Sequence, residues 1–551
     1  MKQHGRSSFF VVGEGVLEFG GDGRPATREP ATIEELRRFR FSRLGPKGRQ
    51  LDEGTRVALA GAIEATGTQP DSADPAVPAG YTYLGQFVDH DLTMDRTEAQ
   101  LGEDVTLDEL VQGRSPALDL DSVYGHGPSD REDRRFYAED GIRLRTGVTS
   151  ATTFPDERVN VELEGFDLPR AGVGDTGAAR RSPLIPDARN DENLAVAQTH
   201  AAFIRFHNRV VDELAMQGVP RRRLFTAARE LVVRHYQWML VTDHLPRIVD
   251  PAIVDDVFTN GRRFVDRRVR DQRPTMPLEF AVAAYRLGHS MIRGAYQWNR
   301  VFNGTTVPPR IASLLLLFTF SGVSGNFTGG STLPELDDPT SGDVDRLPTN
   351  WIADWRRLFD FTEADRPDLV PPAATGGGNV TKRIDTLLVN PLANLPAGTF
   401  GGRGTEVPQI HRSLAFRNLT RAEMVRLASG QQMARLLRVP ALTDEQILRG
   451  NGDGVDLTGL DVAHREAILA DTPLWFYILR EAELNGGVLG AVGGRIVAEV
   501  FHRAIEGSRV SIVRHPSWRP TLGPDECTFR MTDLLLFAFE GKSDLLNPLG
   551  D

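Results

Sequence analysis

Apolar residues recur along much of this chain at the three- and four-residue spacing that places side chains on one face of a helix. Residues 194–217 show this spacing most clearly, and Gly218 ends the segment. Its apolar face consists of Leu194, Ala197, Ala201, Ile204, Val211 and Leu214. The same periodicity predicts further helices at 222–248, 278–293, 421–438, 474–484 and 494–505. Because no set of regularly spaced, alternating strands is found, we predict a mainly α fold.

Proline- and glycine-rich stretches interrupt these helical segments and predict long loops at 68–80, 328–350 and 366–404. The glycines at 376–378 do not follow a strand and precede a helix, as a phosphate-binding turn requires. We therefore interpret them as part of a flexible loop.

The amino-acid composition and net charge limit the kinds of molecule that the chain is expected to bind. The chain has 551 residues, of which 40% are hydrophobic and 25% charged, as in ordinary soluble proteins with a large core. Lys and Arg total 64 against 75 Asp and Glu, so the formal net charge is −11. An acidic chain is a poor partner for nucleic acid or an anionic membrane, which leaves small molecules as the expected ligands.

Cys527 is the single cysteine, which excludes an intramolecular disulfide, a zinc ribbon and a four-thiolate iron–sulfur cluster. Its acidic neighbours favour a buried or incidental thiol over a reactive one. The first residues lack an apolar run of signal-peptide length, and the longest apolar run, 311–320, is too short to cross a bilayer. We expect a soluble protein without a transmembrane segment, either cytoplasmic or exported without a Sec signal peptide.

The segment GYTYLGQFVDHDLTMD, residues 80–95, concentrates polar chemistry. On a helix, Gln86 and His90 lie one turn apart on the same face, with Asp89 beside them. Asp91 is turned away from that face by about 100°. An imidazole beside a carboxamide suits proton transfer to and from a bound peroxide. Taken alone, the segment could as well be a metal-binding acid–histidine cluster or a polar helix end as a peroxide site.

The motif GQFVDHD resembles the distal helix of the animal haem peroxidase superfamily. This resemblance implies that His90 is the distal acid–base catalyst and Gln86 its hydrogen-bonding companion. It also implies that Asp89 forms an ester with a haem methyl group and that Asp91 is a calcium ligand.

SPALDLDSVYG, residues 115–125, is similar to the calcium loop of that family and offers oxygen atoms at alternating positions. The family commonly has Thr where Ser115 stands and Ser where Asp121 stands, and both pairs supply oxygen ligands. The implied calcium ligands are Asp91, Ser115, the Ala117 carbonyl, Asp119 and Asp121. Without the resemblance, the same residues would indicate an acidic surface turn.

DARNDENL, residues 187–194, carries Arg189 and Glu192 three positions apart, near the start of the clearest predicted helix. The resemblance implies that Arg189 is the catalytic arginine, which stabilises charge as the O–O bond breaks. It implies that Glu192 forms the second haem ester. Alone, the pair would indicate an exposed salt bridge. His207, further along the same helix, is expected to be structural.

AAYRLGHSMIRGAYQWN, residues 283–299, resembles the proximal R-x-G-H pattern of the family. The resemblance implies that His289 ligates the haem iron and that Arg286 contributes to the haem site. A histidine in an apolar helix is otherwise a core residue. Asn418, in LAFRNLTR, corresponds to the asparagine that accepts the other ring N–H of the proximal histidine and orients the ring.

The resemblance covers roughly residues 80–510 and is closest to bacterial members. We therefore expect an N-terminal arm at 1–79, a catalytic domain at 80–510 and a C-terminal extension at 511–551 packed on it. The acidic turn NGDGVD, residues 451–456, lacks the later acidic ligand of a calcium loop, and we interpret it as an Asx-rich turn.

The resemblance implies a haem b-dependent peroxidase that reduces hydrogen peroxide and oxidises a halide, thiocyanate or a phenolic donor. Ester links to the haem are expected through Asp89 and Glu192. Asn193 stands where the most strongly oxidising animal member has a methionine, so no sulfonium link is expected.

Two alternatives stay open. A fatty-acid dioxygenase of the same superfamily would carry a tyrosine three residues before the proximal histidine, where this chain has Arg286, with Tyr285 one residue earlier. A calcium-stabilised scaffold or haem carrier would have a decayed site. Four intact residues argue against decay: Gln86, His90, Arg189 and His289.

Overall fold

Helices dominate the computed structural model, in agreement with the predicted mainly α fold. The structure describes residues 41–64, 76–97, 99–266, 275–306, 310–327, 344–396 and 408–551, and the backbone of two strands between 16 and 28. Its α-helices span Glu53–Glu64, Gly80–Leu92, Asp121–Tyr124, Gly177–Arg181, Leu194–Met216, Arg221–Met239, Leu245–Ile248, Pro251–Asn260, Leu314–Thr319, Leu414–Met424, Gly430–Leu437, Asp444–Arg449, Val462–Ala470, Leu474–Leu484, Gly493–Gly507, Met531–Ala538 and Ser543–Leu546.

Among the described residues, the strands are short and form four separate pairs. Three pairs are antiparallel, namely Val16–Phe19 with Pro25–Arg28, Gly147–Val148 with Glu164–Asp167, and Ala295–Tyr296 with Ala312–Ser313. The fourth, Phe41–Ser42 with Met276–Pro277, is parallel. They join loops and do not build a layer of their own.

The helix Leu194–Met216 is the centre of the fold and confirms the prediction for 194–217. Its first turn is capped by Asn193, whose Oδ1 accepts the Val196 N–H at 3.0 Å. On its buried face, Phe203 stacks on Phe87 with 4.5 Å between ring centroids. Its helical neighbours include Gly80–Leu92, Arg221–Met239 and Met531–Ala538. The helix of residues 80–92 is therefore packed against this central helix.

The segment predicted as one helix over 222–248 changes type near its end. The α-helix Arg221–Met239 continues as a π-helical turn, Leu240–His244, and then as Leu245–Ile248. Pro246 lies just beyond the wide turn, and a proline has no N–H to continue the α-helical bonding pattern. The turn directs His244 into the interior, where it is buried.

The prediction of one regular helix over 278–293 is wrong. A π-helical turn, Glu279–Ala283, is followed by a 3₁₀ segment, Ala284–His289, at which helical structure ends. The carboxylate of Glu279 accepts the backbone N–H groups of Leu44 and Gly45 at 3.0 and 2.9 Å. This anchor and the low helix propensity of Gly288 outweigh the apolar periodicity.

The predicted helix over 421–438 is two helices, Leu414–Met424 and Gly430–Leu437. Arg426 between them has a φ of 47°, which no α-helix accommodates. Ser429 then starts the second helix with a capping box that it forms with Gln432. The predicted helices at 474–484 and 494–505 are confirmed, the second within Gly493–Gly507.

The predicted loops fall partly outside the described residues, which omit 65–75, 328–343 and 397–407. In the described part of 366–404, only short 3₁₀ turns interrupt the loop. Among the described residues, no helix combines the length and the apolar content needed to cross a bilayer. The sequence predicted a buried or incidental thiol at Cys527, and its exposure rules out the buried one.

Candidate functional site

A cavity of about 1000 Å³ lies between the helix Gly80–Leu92, the 3₁₀ segment Ala284–His289 and the helix Leu414–Met424. Its volume is at the upper end of ordinary ligand pockets. The cavity brings together sequence-predicted residues that are far apart in the chain. Its lining includes Gln86, Asp89, His90, Arg189, Glu192, Asn193, Arg286, His289 and Asn418.

His90 is buried, and its ring is held from behind. Its Nδ1 lies 2.8 Å from Oδ1 of Asn190, and with the amide in this orientation Nδ1 carries the proton. Nε2 is then left as a lone pair, 3.6 Å from Oε1 of Glu192 in the cavity wall. Burial lowers the pKa of His90, and the positive charge of Arg189 adds to that effect.

Gln86 lies one helical turn before His90, as predicted, but other side chains hold its amide at both ends. Its Nε2 donates to Oε1 of Glu192, and its Oε1 accepts from Nδ2 of Asn193 at 2.9 Å. Asn193 therefore caps the central helix and orients Gln86 at the same time. This double use was not visible in the sequence.

Arg189 pairs with Asp187 rather than with Glu192, the partner considered from the sequence. Its Nε and Nη2 lie 3.1 and 2.7 Å from the two carboxylate oxygens of Asp187, and Nη2 also donates to the His90 carbonyl at 2.9 Å. Arg114 reaches the same acceptors, donating from Nε to the His90 carbonyl at 3.1 Å and from Nη2 to Asp187. Two guanidinium groups thus fix the backbone at His90.

His289, at the end of the 3₁₀ segment, is a neutral imidazole because burial lowers its pKa to about 3, with Arg286 and Arg421 adding to the shift. Nδ2 of Asn418 lies 2.9 Å from Nδ1 of the ring. A half-turn of the amide exchanges its oxygen and nitrogen in place, so the same contact suits an Asn418 oxygen that accepts an N–H from His289. Nε2 is then free to bind a metal.

Three arginines line the cavity near His289, namely Arg286, Arg417 and Arg421. Burial lowers the pKa of Arg417 and of Arg421 to about 10, and neighbouring guanidinium groups add to both shifts. Such a concentration of positive charge suits an anionic ligand. The sequence analysis did not single out Arg417 and Arg421, although both flank Asn418 in LAFRNLTR.

Asp89 faces the same region of the cavity. Its Oδ1 accepts from the Thr93 hydroxyl at 3.0 Å, and its Oδ2 lies 3.9 Å from Nη1 of Arg286. The predicted pair of ester-forming carboxylates, Asp89 and Glu192, therefore lies on the cavity wall.

Asp91 points away from the cavity into a buried acidic cluster with Asp119 and Asp121, whose ligand oxygens all lie within 4.8 Å of one another. Burial and the charge of Asp121 raise the pKa of Asp91 to about 8. Within the described residues, the buried hydroxyl of Ser115 has no hydrogen-bond partner. Clustered buried carboxylates are costly unless a cation compensates them, so the donor set suits a hard divalent ion. Ala117 lies fully buried in the same loop.

Comparison with known proteins agrees with this geometry. Residues 76–313 match the family model for animal haem peroxidases. A peroxidase-like protein of Margaritifera margaritifera is 28% identical over 363 residues, which cover 56% of this chain and 42% of that protein. Heme peroxidase 2 of Caenorhabditis elegans is 26% identical over 192 residues, covering 32% and 23%. The chain thus spans less than half the length of these curated relatives.

Two solved structures share the fold. Peroxidase A from Dictyostelium discoideum superposes with a TM-score of 0.52 at 15% identity, over 93% of this chain and 89% of that one. The fatty acid alpha-dioxygenase of Oryza sativa gives 0.53 at 12% identity, over 97% and 87%. Over residues 76–313 the chain is therefore similar to the animal haem peroxidases.

The dual contact of Asn193 generates a stability prediction. Asn193→Ala should lower the free energy of unfolding by about 1 kcal/mol, because the Val196 N–H loses its acceptor. Asn193→Asp is the matched control, since a carboxylate is an equally good N-cap. Urea unfolding followed by circular dichroism measures both, and an alanine variant as stable as the aspartate variant would contradict the capping role.

Proposed function

We propose that this protein is a haem-dependent peroxidase that reduces hydrogen peroxide while it oxidises a halide, thiocyanate or a small phenolic donor, with residues 80–510 as its catalytic domain. One observation carries the proposal. Two histidines, the buried His90 and the half-buried His289, face one cavity, and each has its Nδ1 in contact with an asparagine amide. In both rings, Nε2 is therefore available to a ligand in the cavity.

The cavity fits haem b in size and in donor set. His289 offers a neutral imidazole for the iron, which Asn418 orients. Arg286, Arg417 and Arg421 supply positive charge for the two propionate groups. The bound haem would supply the iron at which the O–O bond of peroxide is broken.

The residues on the His90 side of the cavity have three different roles in the reaction with peroxide. His90 takes a proton from peroxide at Nε2 and returns it to the departing oxygen. Arg189 places positive charge close to that proton transfer while it holds the His90 carbonyl. Gln86, held by Glu192 and Asn193, keeps a fixed amide dipole at the cavity wall.

We assign calcium to the acidic cluster next to this site. The ligands would be Asp91, the Ser115 hydroxyl, the Ala117 carbonyl, Asp119 and Asp121. Support comes from the close carboxylate oxygens and from the buried Ser115 hydroxyl. Because Asp91 directly follows His90, an ion in this cluster would also hold the imidazole in place.

A fatty-acid dioxygenase is the second candidate, since Tyr285 also lines the cavity. Its hydroxyl lies 3.2 Å from Nε2 of His244, and its ring stacks on Phe280 at 4.8 Å. Arg286 stands at the position that a dioxygenase would give to its tyrosine. Oxygen uptake with a polyunsaturated fatty acid, and its loss in Tyr285→Phe, would favour the dioxygenase over the peroxidase.

The absorption spectrum of the protein, purified after haem-supplemented expression, tests the main proposal. We expect a Soret band that changes on addition of hydrogen peroxide and returns when a phenolic donor is added. Absence of any Soret band would reject the proposal.

Substitutions of His90 and His289 should affect haem binding and peroxide reactivity differently. His289→Ala should lose haem, because the iron loses its protein ligand. His90→Ala should keep haem but react with hydrogen peroxide about 10²-fold more slowly, because the proton acceptor is gone. Haem content and stopped-flow rates measure these effects. If His90→Ala lost haem and His289→Ala kept it, the two assignments would be exchanged.

Calcium should support both stability and the haem site. Asp121→Ala, or prolonged chelation of the wild-type protein, should lower the melting temperature and shift the Soret band, and added Ca²⁺ should reverse the effect of chelation. Asp456→Ala, at an exposed position of the acidic turn 451–456, is the control and should change neither. Unchanged melting after verified metal removal would reject the calcium site.

Turnover with peroxide should link haem to the protein through esters of Asp89 and Glu192. Asp89→Asn and Glu192→Gln should each remove one link, since an amide does not form the ester. Because Asn193 has no sulfur, no sulfonium should form, and bromide, iodide or thiocyanate should be oxidised better than chloride. Denaturing mass spectrometry is the measurement, and freely extractable haem in the turned-over wild-type protein would refute the ester roles.

A further inference from the structure

His90 is the first of three polar side chains linked in a buried row. Its Nδ1 contacts Oδ1 of Asn190 at 2.8 Å, and Nδ2 of the same amide contacts Nδ1 of His200 at 2.9 Å. Asn190 and His200 are fully buried, and His90 is 5% exposed. One carboxamide thus lies between two imidazoles, and its two ends face different rings.

The chemistry of the amide links the protonation of the two rings. Its oxygen only accepts and its nitrogen only donates, so the ring at the oxygen carries Nδ1–H and the ring at the nitrogen has a bare Nδ1. In the observed orientation, His90 carries its proton on Nδ1 and presents a bare Nε2 to the cavity. The reverse orientation would give His90 a bare Nδ1 and an Nε2–H, which cannot take a proton from a ligand in the cavity.

The tautomer of His200 is coupled to the same amide orientation. Burial lowers its pKa to about 3, so the ring is neutral and offers one accepting nitrogen. That acceptor is Nδ1, which faces the amide nitrogen of Asn190. Phe87 packs edge-to-face against the His200 ring, with 5.9 Å between the ring centroids. A change in the orientation of the amide would therefore change the tautomers of both rings together.

We propose that Asn190 is a positioning residue that keeps His90 in the tautomer with an unprotonated Nε2 toward the cavity, and that the contact with His200 couples the orientation of the Asn190 amide to the tautomer of the His200 ring. This inference rests on the proposed function, because it concerns the base that reacts with peroxide. Neither residue touches the cavity ligand, and both act through His90.

Carbon monoxide bound to the ferrous haem protein is a suitable probe. Its C–O stretching frequency rises when a lone pair faces its oxygen and falls when an N–H does, so it reports the His90 tautomer without turnover. Asn190→Leu, which has no acceptor, should lower or split the wild-type band. The same variant should react with hydrogen peroxide about 10-fold more slowly or worse.

Asn190→Asp is the conservative variant. A carboxylate only accepts, so it should keep the proton on Nδ1 of His90 and leave the band at or above the wild-type frequency. A purely space-filling role for Asn190 predicts the reverse order, because leucine is apolar and aspartate buries a charge. Leucine behaving as wild type while aspartate shifts the band would overturn the proposal.

His200→Phe should split the C–O band, because the amide loses the acceptor that orients it. His207→Gln is the matched control on the same helix. His207 is equally buried, but its ring contacts the Tyr124 hydroxyl at 3.1 Å and the Ile142 carbonyl at 3.0 Å, away from Asn190. His207→Gln should therefore keep the wild-type C–O band. An equal shift in both histidine variants would show a general packing effect and overturn the role of His200.

The wild-type carbon monoxide complex, labelled with ¹⁵N-histidine, gives a reading that needs no variant to fold. The nitrogen shifts of His90 should show Nδ1 protonated and Nε2 bare, and the opposite assignment would overturn the proposal. A protein without a Soret band that responds to carbon monoxide would instead refute the proposed function. A haem protein with a normal carbon monoxide band that is unchanged in Asn190→Leu would refute this inference alone.

Discussion

The buried carboxylate of Asp187 is the interaction on which the geometry of the site depends. It binds the guanidinium groups of Arg114 and Arg189, and both arginines also donate to the backbone carbonyl of His90. A buried charge is tolerated only when it is well paired, so loss of Asp187 would remove the carboxylate that both guanidinium groups share. The last turn of the helix Gly80–Leu92 is thus fixed by a network of charges rather than by apolar packing alone.

The same network connects the acidic cluster to the cavity. Nη1 of Arg114 lies 3.6 Å from Oδ2 of Asp121, and Asp91 of that cluster directly follows His90 in the chain. Two routes therefore lead from the proposed calcium site to the distal imidazole, one through the backbone and one through Arg114. This explains physically why a cation outside the cavity would influence chemistry inside it.

Much of this arrangement could be predicted from the sequence, and the part that could not has identifiable causes. Apolar periodicity located the central helix Leu194–Met216 to within one residue. It did not show the π-helical turns or the break at Arg426, because periodicity is silent about hydrogen-bond register and positive φ. The motif residues that line the cavity were found because each lies in a short local pattern.

The residues that support the cavity-lining side chains were missed because they are close to them only in the folded structure and not in the sequence. Arg114 lies 73 residues from Asp187, and Asn190 lies 100 residues from His90. A polar residue in isolation carries no sign of whether it will be buried beside a distant charge. The pairing of His90 with Asn190 and His200 therefore required the fold.

Stopped-flow absorption spectroscopy of the haem-loaded wild-type protein, mixed with increasing hydrogen peroxide, tests the central claim most directly. The geometry of the cavity predicts a Soret change whose rate grows in proportion to peroxide concentration, followed by recovery when a phenolic or halide donor is present. A protein that binds haem but shows no peroxide-dependent change would contradict the claim and indicate a haem carrier instead.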